Sequence, residues 1–432
     1  MDEIEIPHYF LCPISLELMR DPVTVSTGIT YDRQSIERWM FSGPNNSNNK
    51  GKKTCPVTKQ AVHEELTTPN HTLRRLIQAW CTANASSGIE RIPTPRPPVD
   101  KTHILNLIAN ARVNPHSHLL PALQKLKSIA SESDRNKRCI ESAPGALSFL
   151  ASLVIVKDDE ELPAARAEAL SVLHHLQLTD DGLRELLYGS GADDLISSLT
   201  DVLRRSGSCT QSRVYAIFLL KSILAVFDPV KLVSMRAETL VEVVRVLRHQ
   251  ISSQATKAAL QILIEVCPWG RNRMKAVESG AVSVLIELLL TESSSSTGTS
   301  TTTATERLPS SDKKRCTEMT LVVLDQLCGC ADGRAEFLSH AAGLAVVSKK
   351  MLRVSGVATE RAVKIVSSIA RYSATPAVLQ EMLQVGVVSK LCLVVQVNCS
   401  LKAREKAKDI LALHSKAWTN SPCVPLNFTA SS

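Results

Sequence analysis

The spacing of apolar and polar residues divides the chain into two unequal parts. From about residue 102 to 418, apolar positions recur at helical intervals, and the helical segments themselves repeat. A glycine followed by an apolar helix returns at Gly145, Gly191, Gly280, Gly343 and Gly386, at intervals of 46, 89, 63 and 43 residues. Ala/Leu-rich stretches centred on Leu126, Leu173, Leu220, Leu263, Leu324, Val366 and Leu411 follow one another at 47, 47, 43, 61, 42 and 45. The two series share one period and one anomaly. The interval of 89 is two units, with the intervening copy lacking its glycine near Arg236. The long intervals of 63 and 61 each contain one unit plus an insertion. A period near 43–47 with two or three helices per unit predicts armadillo or HEAT repeats. In a stack of such repeats each unit buries its apolar face on its neighbours, and the solenoid presents a long concave surface. The insertion is visible as SSSSTGTSTTTAT at Ser293–Thr305 and a polar stretch up to Lys314. Residues 293–314 are therefore expected to be disordered, because such a composition buries too little apolar surface to order itself.

The first 82 residues have a different pattern. Val23 and Val25 alternate with polar neighbours, Ser26-Thr27-Gly28 makes a turn, and Ile29-Thr30-Tyr31 returns, which predicts a β-hairpin. Asp32 is placed to cap a helix bearing Ile36, Trp39 and Met40 on one face. Ser42–Lys53 is a polar loop, and Asn70 is placed to cap a second helix with Leu73, Leu76, Ile77 and Trp80. Residues 5–82 thus form a small α+β module. Residues 83–101 contain Pro93, Pro95, Pro97 and Pro98 and predict an extended linker. Residues 419–432 lack periodicity and predict a flexible tail.

Composition sharpens this division. Only 4% of residues are aromatic, and Tyr9, Phe10, Tyr31, Trp39, Phe41 and Trp80 all lie in the first 82. The remainder must build its core from Leu, Val, Ile and Ala, as helical repeats do. No apolar run reaches the ~18–20 residues that span a bilayer, and the acidic start lacks the features of a signal peptide, so an intracellular protein is expected. The twelve cysteines are scattered and are expected to be reduced thiols. The net charge of +8 falls entirely outside residues 1–82, which hold nine basic and nine acidic residues. An excess so dilute, without interleaved aromatics, excludes a nucleic-acid footprint.

The string Ile6-Pro7, Phe10, Cys12-Pro13-Ile14-Ser15-Leu16-Glu17, Met19, Asp21-Pro22-Val23, Gly28, Thr30-Tyr31-Asp32-Arg33, Ile36, Trp39, Cys55-Pro56-Val57-Thr58, Leu66, Pro69-Asn70, Leu73-Arg74, Ile77 and Trp80 resembles a U-box throughout. With the repeats behind it, the chain resembles the plant U-box E3 ubiquitin ligases with armadillo repeats. The resemblance implies a zinc-free RING-like module followed by an all-α armadillo/HEAT-like solenoid, with no metal or other cofactor. The residues agree on the metal. A zinc RING needs paired Cys/His ligands, and residues 1–82 offer only Cys12, Cys55, Cys81, His8, His63 and His71, unpaired in spacing. Cys12 and Cys55 read as small buried residues before proline turns. A thioester-forming nucleophile is the sharper alternative, but the resemblance argues against it, so no catalytic nucleophile is expected.

The resemblance also implies a mechanism. The U-box holds a ubiquitin-charged E2 enzyme while the repeats hold a protein substrate, so the gain comes from proximity and orientation. The family's E2-contact positions fall on Ile14, Leu16, Trp39, Pro56 and Lys59. Lys59 stands where a basic residue can bridge E2 and ubiquitin, but a lysine lacks the bidentate fork of arginine. Leu16 and Trp39 have core packing as their alternative role. The family setting also implies stress or immune signalling, a cytoplasmic location with the nucleus as a second compartment, and self-association through the U-box. The competing function is a non-catalytic armadillo scaffold with a degenerate U-box. Two further readings come from the residues. Arg166, Arg213, Lys257, Arg315, Arg361 and Arg404 each precede the centre of a long repeat helix by five to nine positions. Local stability does not favour cations there, so they are candidates for a basic stripe that engages an acidic substrate segment. Thr94-Pro95 in the linker is a candidate proline-directed phosphorylation site.

Overall fold

The computed structural model describes residues 6–41, 54–62, 68–85, 89–90, 92, 99–113, 115–155, 163–205, 209–233, 235–294 and 310–418. The N-terminal module opens with a short turn of helix at His8–Phe10, followed by strand β1 (Pro22–Thr24), β2 (Thr30–Asp32) and helix α1 (Arg33–Phe41). β1 and β2 pair antiparallel with Val23 opposite Tyr31, and Gly28 takes φ +82° in the turn between them. A left-handed turn residue of this kind suits glycine. A third strand, β3 (Thr68–Pro69), pairs with the other edge of β1. Its two residues are too few to leave a sequence pattern.

Ile36 and Met40 of α1 enter a core with Phe10, Met19, Val23, Val25, Tyr31 and Ile77. Helix α2 (His71–Ala83) begins as expected, with the Asn70 side chain accepting from the Leu73 amide at 3.0 Å. Leu76 does not join its apolar face and is exposed. Asp32 does not cap α1 either. Its Oδ1 accepts the amides of Arg20 (2.9 Å) and Asp21 (3.0 Å), so it fixes the chain entering the hairpin.

The described linker residues are docked. Ile89 and Ile92 pack on the module's core, and the Gln78 side chain donates to the Ile92 carbonyl at 3.4 Å. Thr94 and the four linker prolines lie outside the described residues.

The rest of the described chain is helical. Helices α3 (Lys101–Val113) and α4 (Pro115–Glu132) pair. Three-helix units follow. The first is α5 (Asp134–Glu141), α6 (Ala146–Ile155) and α7 (Pro163–Leu176), and the second is α8 (Asp180–Ser190), α9 (Ala192–Arg204) and α10 (Thr210–Val226). Next come α11 (Pro229–Leu232), α12 (Ala237–His249) and α13 (Ser253–Val266), then α14 (Gly270–Glu278), α15 (Ala281–Ser294) and α16 (Ser310–Leu327). The last two are α17 (Ala331–Ser339), α18 (Gly343–Lys350) and α19 (Gly356–Tyr372), and α20 (Pro376–Gln384), α21 (Val387–Gln396) and α22 (Leu401–Leu413). A short α23 (Ser415–Trp418) closes the series and buries Trp418.

The repeating glycine marks the turn from first to second helix. Gly145, Gly191, Gly280 and Gly386 have φ between +74° and +77° there, a region that penalises any Cβ. Gly343 is retained for a different reason, since a Cβ would meet the Phe337 carbonyl oxygen at 2.5 Å. The copy without glycine is the α11–α12 turn, where Arg236 precedes α12. Asn272 shows how successive units are joined. It is fully buried, its side chain donates to the Leu232 and Val266 carbonyls, and it accepts the Met235 amide.

The insertion is shorter than the 293–314 expected. Residues 295–309 lie outside the described residues, but Ser293 and Ser294 end α15 and residues 310–314 begin α16. Asp312 in the first turn suits the positive end of the helix dipole, and an ion pair to Lys257 at 2.8 Å anchors it to α13. Residues 419–432, read as a tail, lie outside the described residues. Among the described residues no single helix is long and apolar enough to cross a membrane.

By packing, the chain forms two compact units, one of residues 1–149 with 175–178, the other of 150–174 with 179–432. The first runs through the linker into the first repeat. α1 packs against α5, and the Cys139 thiol lies 3.5 Å from the Val99 carbonyl.

Candidate functional site

Two loops of the N-terminal module are copies of one design. Cys12-Pro13-Ile14-Ser15-Leu16-Glu17 and Cys55-Pro56-Val57-Thr58-Lys59-Gln60 share the pattern Cys-Pro, β-branched, hydroxyl, variable, acid or amide. Their backbones share it too. The Cys12 amide donates to the Glu17 carbonyl at 2.9 Å and the Leu16 amide to the Cys12 carbonyl at 2.8 Å. The Cys55 amide donates to the Gln60 carbonyl at 2.8 Å and the Lys59 amide to the Cys55 carbonyl at 2.9 Å. Leu16 (φ +58°) and Lys59 (φ +60°) both take the left-handed conformation, which costs a non-glycine residue roughly 1 kcal/mol or more. This turn directs both side chains outward. Leu16 is 74% exposed, so it is not a core residue.

Sulfur acceptors and ion pairs hold the loops in place. Cys12 Sγ accepts the Asp32 amide at 3.3 Å. Burial pushes its thiol up, but the amides of Ser15, Asp32 and Ile14 outweigh this and bring it below the usual thiol range. Cys55 Sγ has the Tyr31 hydroxyl at 2.9 Å, the Thr27 hydroxyl at 3.4 Å and the Thr58 amide at 3.5 Å. Burial opposes ionisation there as well, but the Thr27, Thr58 and Tyr31 hydroxyls bring the Cys55 thiol down to about 6. Burial and the Cys55 sulfur push Tyr31 up. Both cysteines are fully buried and their sulfurs are occupied as acceptors, which suits structural anchors rather than nucleophiles. Asp21 adds an ion pair to Arg33 at 2.5 Å and faces Arg74 at 3.9 Å.

The anchors tie both loops to β2 and α1. The first is tied by Cys12 to the start of that helix. The second is tied by Tyr31 and by Trp39, whose Nε1 donates to the Thr54 carbonyl at 3.1 Å. Trp39 is 51% exposed, which makes it a surface residue held in one orientation. Ile14 and Pro56 are half-buried and Lys59 is exposed. Val57, 52% exposed, belongs to this apolar face and was not among the sequence candidates. The signal for it was present, since Val57 holds in the second loop the position that Ile14 holds in the first.

The six repeat cations lie near the starts of the third helices, α7, α10, α13, α16, α19 and α22. Several serve neighbouring repeats. Lys257 pairs with Asp312 at 2.8 Å and Arg361 with Asp325 at 2.9 Å, each linking one third helix to the next. Arg166 donates to the Ser198 carbonyl at 2.9 Å and Arg404 to the Cys399 carbonyl at 3.2 Å. Arg315 is exposed, 3.8 Å from Glu318, and Arg213 is half-buried. Part of the stripe is therefore a set of inter-repeat struts.

Two family models match this chain. The U-box domain model matches residues 6–86, and the plant U-box protein ARM repeat region matches residues 103–432. The chain is 52% identical over 426 residues to the Arabidopsis thaliana E3 ubiquitin-protein ligase PUB23, covering 99% of this chain and 97% of that relative. It is 48% identical over 452 residues to E3 ubiquitin-protein ligase PUB22 of the same plant, covering 98% of each. Identity to E3 ubiquitin-protein ligase PUB24 of that plant is 37% over 468 residues, with 98% and 95% covered.

Proposed function

Since the chain belongs to the plant U-box proteins with an ARM repeat region, and is a ubiquitin transferase of the U-box type, we propose that its two loops and Trp39 recruit a ubiquitin-charged E2. On this reading the 5–82 module is the E2 platform and the 102–418 repeats hold the protein substrate. The observation that carries the reading is Trp39, half exposed on a small module and fixed by a hydrogen bond to the second loop. An aromatic held in this way on an apolar face is a typical interface anchor. Ile14, Leu16, Pro56 and Val57 complete the face. No side chain needs to form a covalent bond to ubiquitin, since holding the E2 thioester beside an acceptor lysine supplies the rate gain through orientation.

Lys59 is assigned the contact with ubiquitin because it stands at the family position where a basic residue can bridge E2 and ubiquitin, and its side chain is exposed. It presents a single ammonium, where a guanidinium would offer two parallel donors. Lys59→Ala is expected to slow discharge of the charged E2 onto free lysine roughly tenfold, with E2 affinity little changed, and Lys59→Arg to raise the rate above the parent. Equal rates in all three would remove Lys59 from the transfer step. The adaptor alternative is separated by self-modification with E1, E2, ubiquitin and ATP, which a scaffold does not catalyse.

For the substrate we propose an acidic segment on the third-helix face. Reversing Arg213 and Arg315 to Glu leaves the Lys257 and Arg361 struts intact. Such a variant is expected to lose substrate modification while keeping self-modification, and unimpaired substrate modification would reject the basic face. We place the activity in plant stress or immune signalling, in the cytoplasm with the nucleus as a second site, in keeping with the family the chain belongs to.

A further inference from the structure

The E2-facing helix has a second neighbour. On α1, Ile36 and Met40 enter the core, while Glu37 and Trp39 lie about 200° apart around the helix axis. Glu37 is only 7% exposed, although it belongs to neither the core cluster nor the E2 face. Helix α1 packs against α5, and the first-turn charges of α5 act on Glu37. The charges acting on it come from both sides. Burial pushes its carboxyl up, Arg33 and Arg135 pull it down, and Asp21 and Asp134 oppose them. Arg33 Nη1 lies 3.9 Å from Glu37 Oε1, while Asp134 and Arg135 open α5. The segment between the module and the repeats is tied at both ends. Ile89 and Ile92 pack on the module's core, and Val99 meets Cys139 of α5.

We propose that α5 braces α1, so that this chain presents its E2 from a mount fixed to α5 rather than from a free tether. Three contacts make the mount: α5 against α1, the two isoleucines on the core, and Val99 on α5. The brace leaves Trp39 of α1 open. Its consequence for transfer rests on the E2 reading given above, but its existence does not. A fixed mount limits which lysines the E2 thioester can reach, since transfer depends on the position of the acceptor.

Hydrogen exchange on the full-length chain tests the brace without any E2. Arg135→Glu sets an acid beside Glu37 at an exposed position, and Arg135→Glu with Ile92→Ser also removes a linker contact. The double variant is expected to exchange roughly tenfold faster or more in both α1 and α5, with β1 and β2 still protected. Discharge of the charged E2 onto free lysine is expected to stay within about twofold of the parent, while the set of self-modified lysines changes. Parent-like exchange in both helices overturns the brace, and an unchanged set of modified lysines overturns its consequence for transfer. If β1 and β2 open as well, Arg135→Glu alone decides, and parent-like exchange in its α1 and α5 overturns the proposal. Loss of discharge in the parent chain would defeat the E2 reading and leave the exchange result standing.

Discussion

Trp39→Ala is expected to weaken E2 binding by roughly 30-fold or more while leaving the module folded. Interface aromatics of this kind cost about 2 kcal/mol or more when truncated. The fold should survive because Trp39 is half exposed, so its removal opens no internal cavity. What is lost locally is one surface hydrogen bond, to the Thr54 carbonyl, worth about 1 kcal/mol. Trp39→Phe keeps most of the apolar area and loses only that bond, so it should fall between the parent and the alanine variant. Calorimetric or NMR titration with E2, beside thermal melting, reads both effects. A folded Trp39→Ala chain with parent affinity would take Trp39 out of the site.

Asp32→Ala is expected to be the most damaging single change outside the apolar core. One carboxylate oxygen accepts two amides, those of Arg20 and Asp21, and hydrogen bonds to a charged group contribute about 1.5–3 kcal/mol each. A loss of about 3 kcal/mol is a large share of what a small module possesses. Activity should fall with it, because losing the carboxylate frees the Arg20 and Asp21 segment that follows directly on the first loop. Asp32→Asn keeps an acceptor in place and should recover part of the stability. Denaturant titration followed by tryptophan fluorescence measures the change. If Asp32→Ala melts like the parent, the carboxylate is not what holds this chain entry.

Much of this was legible in the residues, and what was missed has physical reasons. The repeat period was readable because four of the glycines serve one left-handed turn. The insertion after α15 was readable by length, but not its end, because Asp312 pairs with Lys257 from another repeat. Asp32 looked like a helix cap because an acid before a helix suits that role, and nothing local shows that the amides of Arg20 and Asp21 claim it first. Leu16 could be read as core or surface until its positive φ turned it outward. The cation stripe was visible as a pattern, but its acidic partners Asp312 and Asp325 lie in neighbouring repeats. Ile89 and Ile92, ahead of the linker prolines, pack on the module's core, a long-range contact that proline content does not announce.

The most direct test is single-turnover discharge of a ubiquitin-charged E2 onto free lysine, with the full-length chain as activator. The parent should accelerate discharge well above the E2 alone. Trp39→Ala and Ile14→Ala, each melting like the parent, should lose most of that acceleration. A parent chain that does not accelerate discharge, or folded variants that match it, would contradict the assignment of the twin loops and Trp39 as the E2 platform.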